Sequence, residues 1–202
     1  AHSFPTRRSS DLRRAFLEAV EGALEGGVTV VQLREKDASI REFFEIGREV
    51  HALTERYDVP LIVNDRADLM LALDAEGLHV GADDLPFDVA RKLAGNRILG
   101  CTAKSRDDIR RAASAGADYV GVGPAFPSPT KPVAGRVLGP DGLRQMIQGA
   151  PIPCLAIGGI TPGNAALLRN TGIAGICVSS GILQAMDPGE AARRIRETFL
   201  EV

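Results

Sequence analysis

Polar side chains or glycine pairs follow seven short apolar runs of this 202-residue sequence. Carboxylates, cations, hydroxyls and closely spaced glycines are the groups that bind phosphate esters and the metal ions that accompany them. One such group would indicate little, but seven at successive run ends indicate a shared site. In chain order the groups are residues 32–36, 64–66, 81–84, 102, 123–131, 158–159 and 179–180.

An amide and two cations alternate in the first of these groups. Alternate side chains of an extended segment share a face, so Gln32, Arg34 and Lys36 point the same way. Two fixed positive charges on one face suit a polyanion such as a diphosphate. A solvated strand end, with Glu35 pairing locally, explains the pattern equally well.

Two carboxylates end neighbouring runs. Asp65 and Asp84 could therefore approach each other and hold Mg²⁺ through oxygen ligands, completed by a diphosphate. Both could instead cap the helices that follow, because Asp is a common N-cap. Asp83 could also be a metal ligand, and spacing alone does not decide between Asp83 and Asp84.

The last groups suggest a phosphate cradle and a covering loop. The pairs at 158–159 and 179–180 supply glycine backbone and hydroxyls where barrels bind phosphate, although two tight turns explain either pair alone. The long loop at 123–137 carries Ser128, Thr130 and Lys131 and predicts a lid over the site. His79 and Tyr119 are interpreted as packing residues.

The elements that must position these groups alternate between strand and helix, which predicts βαβ units and a parallel sheet. Because the polar groups all follow strand ends, a (β/α)₈ TIM barrel is favoured over an open doubly wound sheet. The predicted strands are 28–33, 60–63, 77–80, 97–101, 119–122, 153–157 and 175–178. The predicted helices are 13–26, 39–56, 67–73, 86–93, 106–115, 142–148, 163–170 and 188–200.

Seven strands are one fewer than a closed barrel needs, which predicts that the first strand is missing or replaced. Residues 1–12 occupy its place but contain no apolar run. We therefore expect a foreign or disordered segment at 1–12, with the foreign interpretation preferred, and a single barrel domain at 13–202.

The composition limits the class of protein. Hydrophobic residues make up 45% and the net charge is −2, so no general basic surface is available for nucleic acid. No apolar run reaches the roughly 20 residues that span a bilayer, and no secretory signal is recognisable. The three cysteines form no CxxC pair and are predicted to be free strand residues. We expect a cytoplasmic protein whose partners are small molecules; the sequence does not give its oligomeric state.

Four ordered motifs resemble the thiamine phosphate synthase family over about residues 13–200: VQLREKD, LIVNDRADLMLALDAEGLHVGADDLP, GADYVGVGPAFPSPTK and AIGGITPGNA. The resemblance implies a (β/α)₈ barrel that joins hydroxymethylpyrimidine diphosphate to hydroxyethylthiazole phosphate, with release of pyrophosphate and a requirement for Mg²⁺. It implies Asp65 and Asp84 as the metal ligands. The catalytic residues it implies are Arg34, Lys36, Lys131 and Thr102. The substrate-binding residues it implies are Gln32, Asn64, Ser128, Thr130, Gly159, Ser179 and Ser180.

Two positions depart from the family pattern. Thr102 stands where the family usually has serine, and Ser128 where it usually has threonine. Both exchanges keep a hydroxyl, so we expect them to be tolerated.

Three other functions compete with the synthase reaction. A thiazole tautomerase shares the barrel but has no need of the diphosphate and metal residues. A non-catalytic barrel that binds a phosphorylated metabolite would need the glycine and serine pairs but not the two aspartates. An inactive fragment would follow if the segment 1–12 has displaced a strand.

Overall fold

The computed structural model of the chain describes residues 10–81, 83–127 and 137–200. The strands are β1 (Val31–Leu33), β2 (Leu61–Asn64), β3 (Gly77–Val80), β4 (Ile98–Ala103), β5 (Tyr119–Val122), β6 (Cys154–Ile157) and β7 (Gly175–Cys177). The helices are α1 (Ser10–Glu25), α2 (Ile40–Arg56), α3 (Ala67–Leu73), α4 (Phe87–Ala94), α5 (Arg106–Ser114), α6 (Gly139–Ile147), α7 (Ser180–Leu183) and α8 (Pro188–Leu200), with a 3₁₀ helix at Ala165–Leu168.

The sheet is parallel throughout, and its strands lie side by side in chain order from β1 to β7. A doubly wound sheet would reverse that order at a switch point, which excludes the competing fold. Right-handed crossovers that always advance in one direction curl the sheet. The result is a seven-stranded half-barrel with the TIM-barrel-like α/β fold that the sequence predicts.

The strands are buried on both faces, which explains why their sequences are continuously apolar. Leu61, Ile62 and Val63 of β2 are fully enclosed although neighbouring side chains point to opposite faces. One face packs inside the curled sheet and the other under the helices. The three free cysteines lie in β4, β6 and β7, as predicted.

Helix α2 begins where the local sequence dictates. The Ser39 hydroxyl accepts a hydrogen bond from the Glu42 N–H at 3.3 Å, and the Glu42 carboxylate accepts one from the Ser39 N–H at 3.0 Å. This capping box satisfies backbone donors that the first helical turn leaves unpaired. Phe43 and Val50, seven residues apart, then face the core from the same side of the helix.

The layer of helices continues across the gap between β1 and β7. Within the described ranges these two strands do not pair, yet α1 packs against α8 as well as against α2. A Cβ atom at Gly26 would overlap the Gly189 carbonyl oxygen and lie 2.7 Å from the Ala192 Cβ. Glycine at position 26 therefore allows the chain after α1 to approach α8 this closely.

The predicted elements match the observed ones with shifts of up to three residues at their ends. The helix predicted at 163–170 is instead a four-residue 3₁₀ helix, and α7 follows β7 without an apolar periodicity that would have predicted it. Residues 10–12 form the first turn of α1, and residues 1–9 lie outside the described chain. The division into segments 1–12 and 13–202 stays a prediction.

Candidate active site

The predicted site residues lie at the carboxyl ends of the strands. Arg34 directly follows β1, Asp65 follows β2, and Thr102 is the penultimate residue of β4. Gly159 and Ser179 come two residues after β6 and β7. Because all the strands are parallel, these ends share one rim of the curled sheet, where barrel enzymes have their active sites.

Asp65 and Asp84 bring two carboxyl groups together at this rim. Asp65 adopts a positive φ of 62° and donates its backbone N–H to the His79 carbonyl oxygen at 2.8 Å. Burial, a hydrogen bond from its side chain to Asp84 and the like charge of Asp84 raise the pKa of the Asp65 carboxyl group. Two carboxylates held this close favour a cation between them.

Gly81 determines where the Asp84 carboxylate lies. Its N–H donates to Asp84 Oδ2 at 2.8 Å, and a Cβ atom at this position would overlap the same oxygen. A side chain at position 81 would require the Asp84 carboxylate to rotate away from this place. The sequence analysis gave Gly81 no role of its own, although a glycine shortly before two acidic residues at a strand end was the available signal.

Asp83 faces a different partner from Asp84. Its carboxylate lies 2.6 Å from Lys104 Nζ, in an exposed ion pair beyond the end of β4. Of the two adjacent acids, Asp84 is the one in contact with Asp65. The geometry therefore supports Asp84 as the partner of Asp65, the choice that the family resemblance also implies.

Arg34 and Lys36 supply positive charge beside the two carboxyl groups. Both lower the pKa of the Asp65 carboxyl group, in opposition to burial and Asp84. Arg34 also lowers the pKa of His79, so its guanidinium is close enough to act on both residues. The rim thus combines two carboxyl groups with two cationic side chains, an arrangement able to bind both a divalent cation and a diphosphate.

Asn64 lies at the end of β2 with 7% of its surface exposed, in register with His79 of β3. Its position next to Asp65 is consistent with the predicted diphosphate-binding role.

His79 and Tyr119 pack in the sheet, as predicted, and also form a hydrogen-bonded network with Thr102. His79 is buried, with Nδ1 3.1 Å from the Tyr119 hydroxyl and Nε2 3.0 Å from the Thr102 hydroxyl. Burial and Arg34 lower the pKa of His79 to about 4, so the ring is neutral at physiological pH. Sequence reasoning missed this network because one strand histidine and one tyrosine give no signal by themselves.

The β6 loop is held against the loop that follows β5. Gly158 accepts a hydrogen bond from the Phe126 N–H at 3.0 Å, and the Asn164 side-chain NH₂ donates to the Gly159 carbonyl oxygen at 2.8 Å. Gly159 has a φ of 65°, and a Cβ atom there would overlap the carbonyl oxygen of Pro127. This glycine backbone follows β6, the neighbour of β7 in the sheet, and Ser179 follows β7, which is where barrel enzymes commonly bind phosphate.

Some predictions are not addressed by these contacts. Ser128, Thr130 and Lys131 lie outside the described residues. In the described ranges no group of three or more His, Cys, Asp or Glu side chains is arranged to hold a metal. None of the helices described is long and apolar enough to cross a membrane. A groove of about 670 Å³ between α2 and α3, lined by Ile40, Phe44 and Leu69, contains none of the predicted site residues.

The fold is a half-barrel, and its rim carries paired acids, cations and closely spaced glycines. These features are typical of barrel enzymes that act on phosphorylated small molecules. The model of the thiamine monophosphate synthase family matches residues 4–182. The chain belongs to this family of transferases.

Curated relatives agree with this assignment. The thiamine-phosphate synthase of Chloroflexus aurantiacus is 49% identical over 183 residues, which cover 91% of this chain and 85% of the relative. That of Moorella thermoacetica is 48% identical over 185 residues, which cover 91% of this chain and 88% of the relative.

Solved structures support both the family and the fold. A thiamine phosphate pyrophosphorylase from Pyrococcus furiosus is similar with a TM-score of 0.85 and 40% identity, covering 92% of this chain and 89% of that one. A 3-hexulose-6-phosphate synthase is similar with a TM-score of 0.70 at 18% identity, covering 92% of this chain and 94% of that one. The second likeness concerns the fold alone.

Proposed function

We propose that the chain condenses 4-amino-2-methyl-5-hydroxymethylpyrimidine diphosphate with 4-methyl-5-(2-hydroxyethyl)thiazole phosphate, giving thiamine phosphate and pyrophosphate. The observation that most supports this reaction is the contact between Asp65 and Asp84 beside Arg34 and Lys36. A barrel that only bound a phosphorylated metabolite would not need two adjacent carboxylates, whose like charges repel each other. A tautomerase would have no use for the diphosphate-binding cations.

The diphosphate end of the first substrate would be held by Arg34, Lys36 and Asn64, with Lys131 added by family resemblance. The bond between the pyrimidine methylene carbon and the diphosphate oxygen breaks, so negative charge grows on the leaving group. Fixed cations at a partly buried rim stabilise that charge better than water does, because they need no reorganisation. Arg34 can bind two oxygens at once, whereas Lys36 acts as a point charge.

Asp65 and Asp84 are suited to hold Mg²⁺, which prefers oxygen ligands and usually keeps several from water or substrate phosphate. The described residues provide only this carboxylate pair, so the remaining ligands would come from the diphosphate and water. Mg²⁺, when bound, would supply charge neutralisation on the departing diphosphate. Relief of the repulsion between the two carboxyl groups would favour its binding.

The remaining residues would orient the two rings. Positive charge on the pyrimidine methylene is delocalised by the ring's amino group, and the thiazole nitrogen then forms the new bond to carbon. This step requires orientation rather than a protein nucleophile. We propose Gln32 and Thr102 at the pyrimidine. By family resemblance, Gly159, Ser179 and Ser180 would bind the thiazole phosphate. Ser128 and Thr130 would contribute hydroxyls from the lid.

The proposed setting of the reaction is the cytoplasm, with small molecules as the only partners required. The three free cysteines are typical of a protein from a reducing compartment.

The test is to measure pyrophosphate release and thiamine phosphate formation from the two substrates, in Mg²⁺ and after EDTA treatment. Product that requires both substrates and the metal is the expected result. A well-folded chain that binds thiazole phosphate but forms no product would contradict the proposal and favour the tautomerase or binding-protein function.

A further inference from the structure

The outer layer of the half-barrel has one helix more than the sheet has strands within the described ranges. In a barrel of βα units each outer helix follows the strand that it covers. Helices α2 to α6, the 3₁₀ helix and α8 each follow one of the seven strands, with the short α7 between β7 and α8. Helix α1 packs in the same layer between α8 and α2, but it follows no strand in the described part of the chain.

The space under α1 and α8, between the strands β1 and β7, is here called the β1–β7 gap. Neighbouring outer helices of a barrel are one strand apart, and α1 and α8 are in contact, so the gap has room for one strand. All seven strands run in the same direction. A strand that paired with both edges of the gap would therefore have to lie parallel to both.

Both edges of the gap direct backbone N–H groups into it. Successive N–H groups of a strand point to opposite sides. The Val31 N–H donates to a carbonyl oxygen on the β2 side at 3.1 Å, so the N–H of Gln32 points into the gap. The Ala174 N–H donates to a carbonyl oxygen of β6 at 2.8 Å, so the N–H of Gly175 points into the gap from the other edge. Such edges are templates for pairing with a further strand.

Side chains beside the gap are more exposed than those in the middle of the sheet. Ile62 of β2 is fully enclosed, whereas Val30, just before β1, is 47% exposed. On the other side Ile157 at the end of β6 is 46% exposed, and its register partner Cys177 in β7 is half-buried. The interior of a closed barrel is filled by apolar side chains. The exposed side chains therefore favour an apolar occupant.

We propose that the β1–β7 gap is a docking site for an apolar β-strand supplied by another polypeptide, which binds parallel to β1 and β7 and closes the barrel. The parallel edges fix its direction, and the exposed side chains fix its apolar character. Its length should match that of the neighbouring strands, which have three to six residues. Residues 1–9 do not have this composition, because they contain Pro5, two adjacent arginines and no apolar run.

Binding is tested with the full chain and a synthetic peptide of about six alternating valines and isoleucines, with two carboxyl-terminal lysines for solubility and an amino-terminal fluorophore. Fluorescence anisotropy should show saturable binding. The same peptide with a central proline should bind at least about tenfold more weakly, because proline removes an N–H and cannot continue a strand between two neighbours. Equal binding of the two peptides, or no binding of the first, would overturn the inference. The measurement contains no substrate, so its outcome is independent of the synthase reaction.

Cys177 reports whether the bound peptide lies in the gap. It is half-buried in β7, whereas Cys101 and Cys154 are buried. Burial raises the pKa of the Cys177 thiol to about 11, so its alkylation by a maleimide is slow enough to follow by mass spectrometry. The apolar peptide should slow this alkylation by roughly fivefold or more and the proline peptide should not, because only a paired strand shields the thiol. Cys177→Ser identifies the signal.

A variant elsewhere on the surface distinguishes the gap from the other apolar surface of the molecule. Ile40 is 60% exposed and lines the groove between α2 and α3. Ile40→Ser should leave peptide binding and the protection of Cys177 unchanged. Loss of binding in this variant, or binding of the peptide without protection of Cys177, would place the peptide outside the gap and overturn the inference.

Discussion

The carboxyl groups of Asp65 and Asp84 lie close enough to raise the pKa of Asp65, although 18 positions of sequence and a complete β-strand separate the two residues. Asp65 reaches this position from a left-handed backbone conformation, and Asp84 from a hydrogen bond to Gly81. Strained backbone and opposed like charges both cost stability, and they persist where function requires them. The relationship defines the first prediction.

Asp65→Asn should reduce the rate of thiamine phosphate formation by roughly a hundredfold or more, because a ligand of the proposed metal is removed. The metal-free protein should be as stable as the original or more so, since a repulsive charge has been lost. The rate is measured as a function of Mg²⁺ concentration and the stability by urea unfolding. Asp83→Asn is the control; its pair with Lys104 is exposed and screened by solvent, so activity should stay within about threefold. Equal loss in both variants would contradict the assignment of Asp84 over Asp83.

Gly159→Ala should weaken binding of thiazole phosphate by at least about tenfold, the size of effect expected when a phosphate-contacting backbone moves by a fraction of an ångström. The added methyl group would collide with the carbonyl oxygens of Phe126 and Pro127. Isothermal titration calorimetry with thiazole phosphate measures the effect. Gly149→Ala has the same kind of positive φ but no atom within 4 Å of the new Cβ, so it isolates backbone strain from collision. Normal affinity in Gly159→Ala would exclude this backbone from the phosphate site.

Gly26→Ala should destabilise the fold by about 1–3 kcal/mol, the usual cost of inserting a methyl group into a closely packed contact. The new Cβ would overlap the Gly189 backbone and force α8 away from α1. The free energy of unfolding in urea measures the loss. Gly163→Ala, whose Cβ would meet only the Thr161 Oγ1 at 3.8 Å, should have a much smaller effect. Similar changes in the free energy of unfolding of both variants would show that the close contact at position 26 adds little to the stability of the fold.

Glu76→Gln should reduce stability by about 1 kcal/mol at pH 7, the value of one net hydrogen bond. The Glu76 carboxylate accepts from the Leu61 N–H at 2.7 Å and lies 3.0 Å from His51 Nε2. Burial raises the pKa of Glu76, but these hydrogen bonds outweigh it and bring the net pKa below 4.5. A lowered carboxyl pKa stabilises the fold above pH 4.5, and the stabilisation disappears as the pH falls through the folded-state pKa.

The measurement for Glu76 is urea unfolding of both proteins between pH 7 and pH 3. The two free energies of unfolding should differ at neutral pH and converge in acid. A difference that stayed constant over this range would show that the carboxylate charge contributes nothing. Glu55→Gln, at an exposed position of α2, should change stability by less than about 0.5 kcal/mol throughout.

Much of the fold could be predicted because it depends on short-range patterns. Continuous apolar runs such as residues 61–63 identify buried parallel strands, and Ser39 with Glu42 identifies a helix start. The strand between Tyr119 and Val122 and the helix between Ala67 and Leu73 have the bounds that the sequence predicts. Helices α1 and α6 begin three residues earlier than predicted because their first turns are polar and give no periodic signal.

The sequence by itself determined which groups end the strands, and with the parallel order it also determined that they share one rim. The tertiary structure decided the contacts among them. Asp84 rather than Asp83 meets Asp65 because Gly81 holds one carboxylate and Lys104 pairs with the other. His79 reaches Tyr119 because the strand between them has no side chain at Gly100. Such contacts join residues from different strands, and their distances depend on strand register and side-chain direction, which local sequence patterns do not contain.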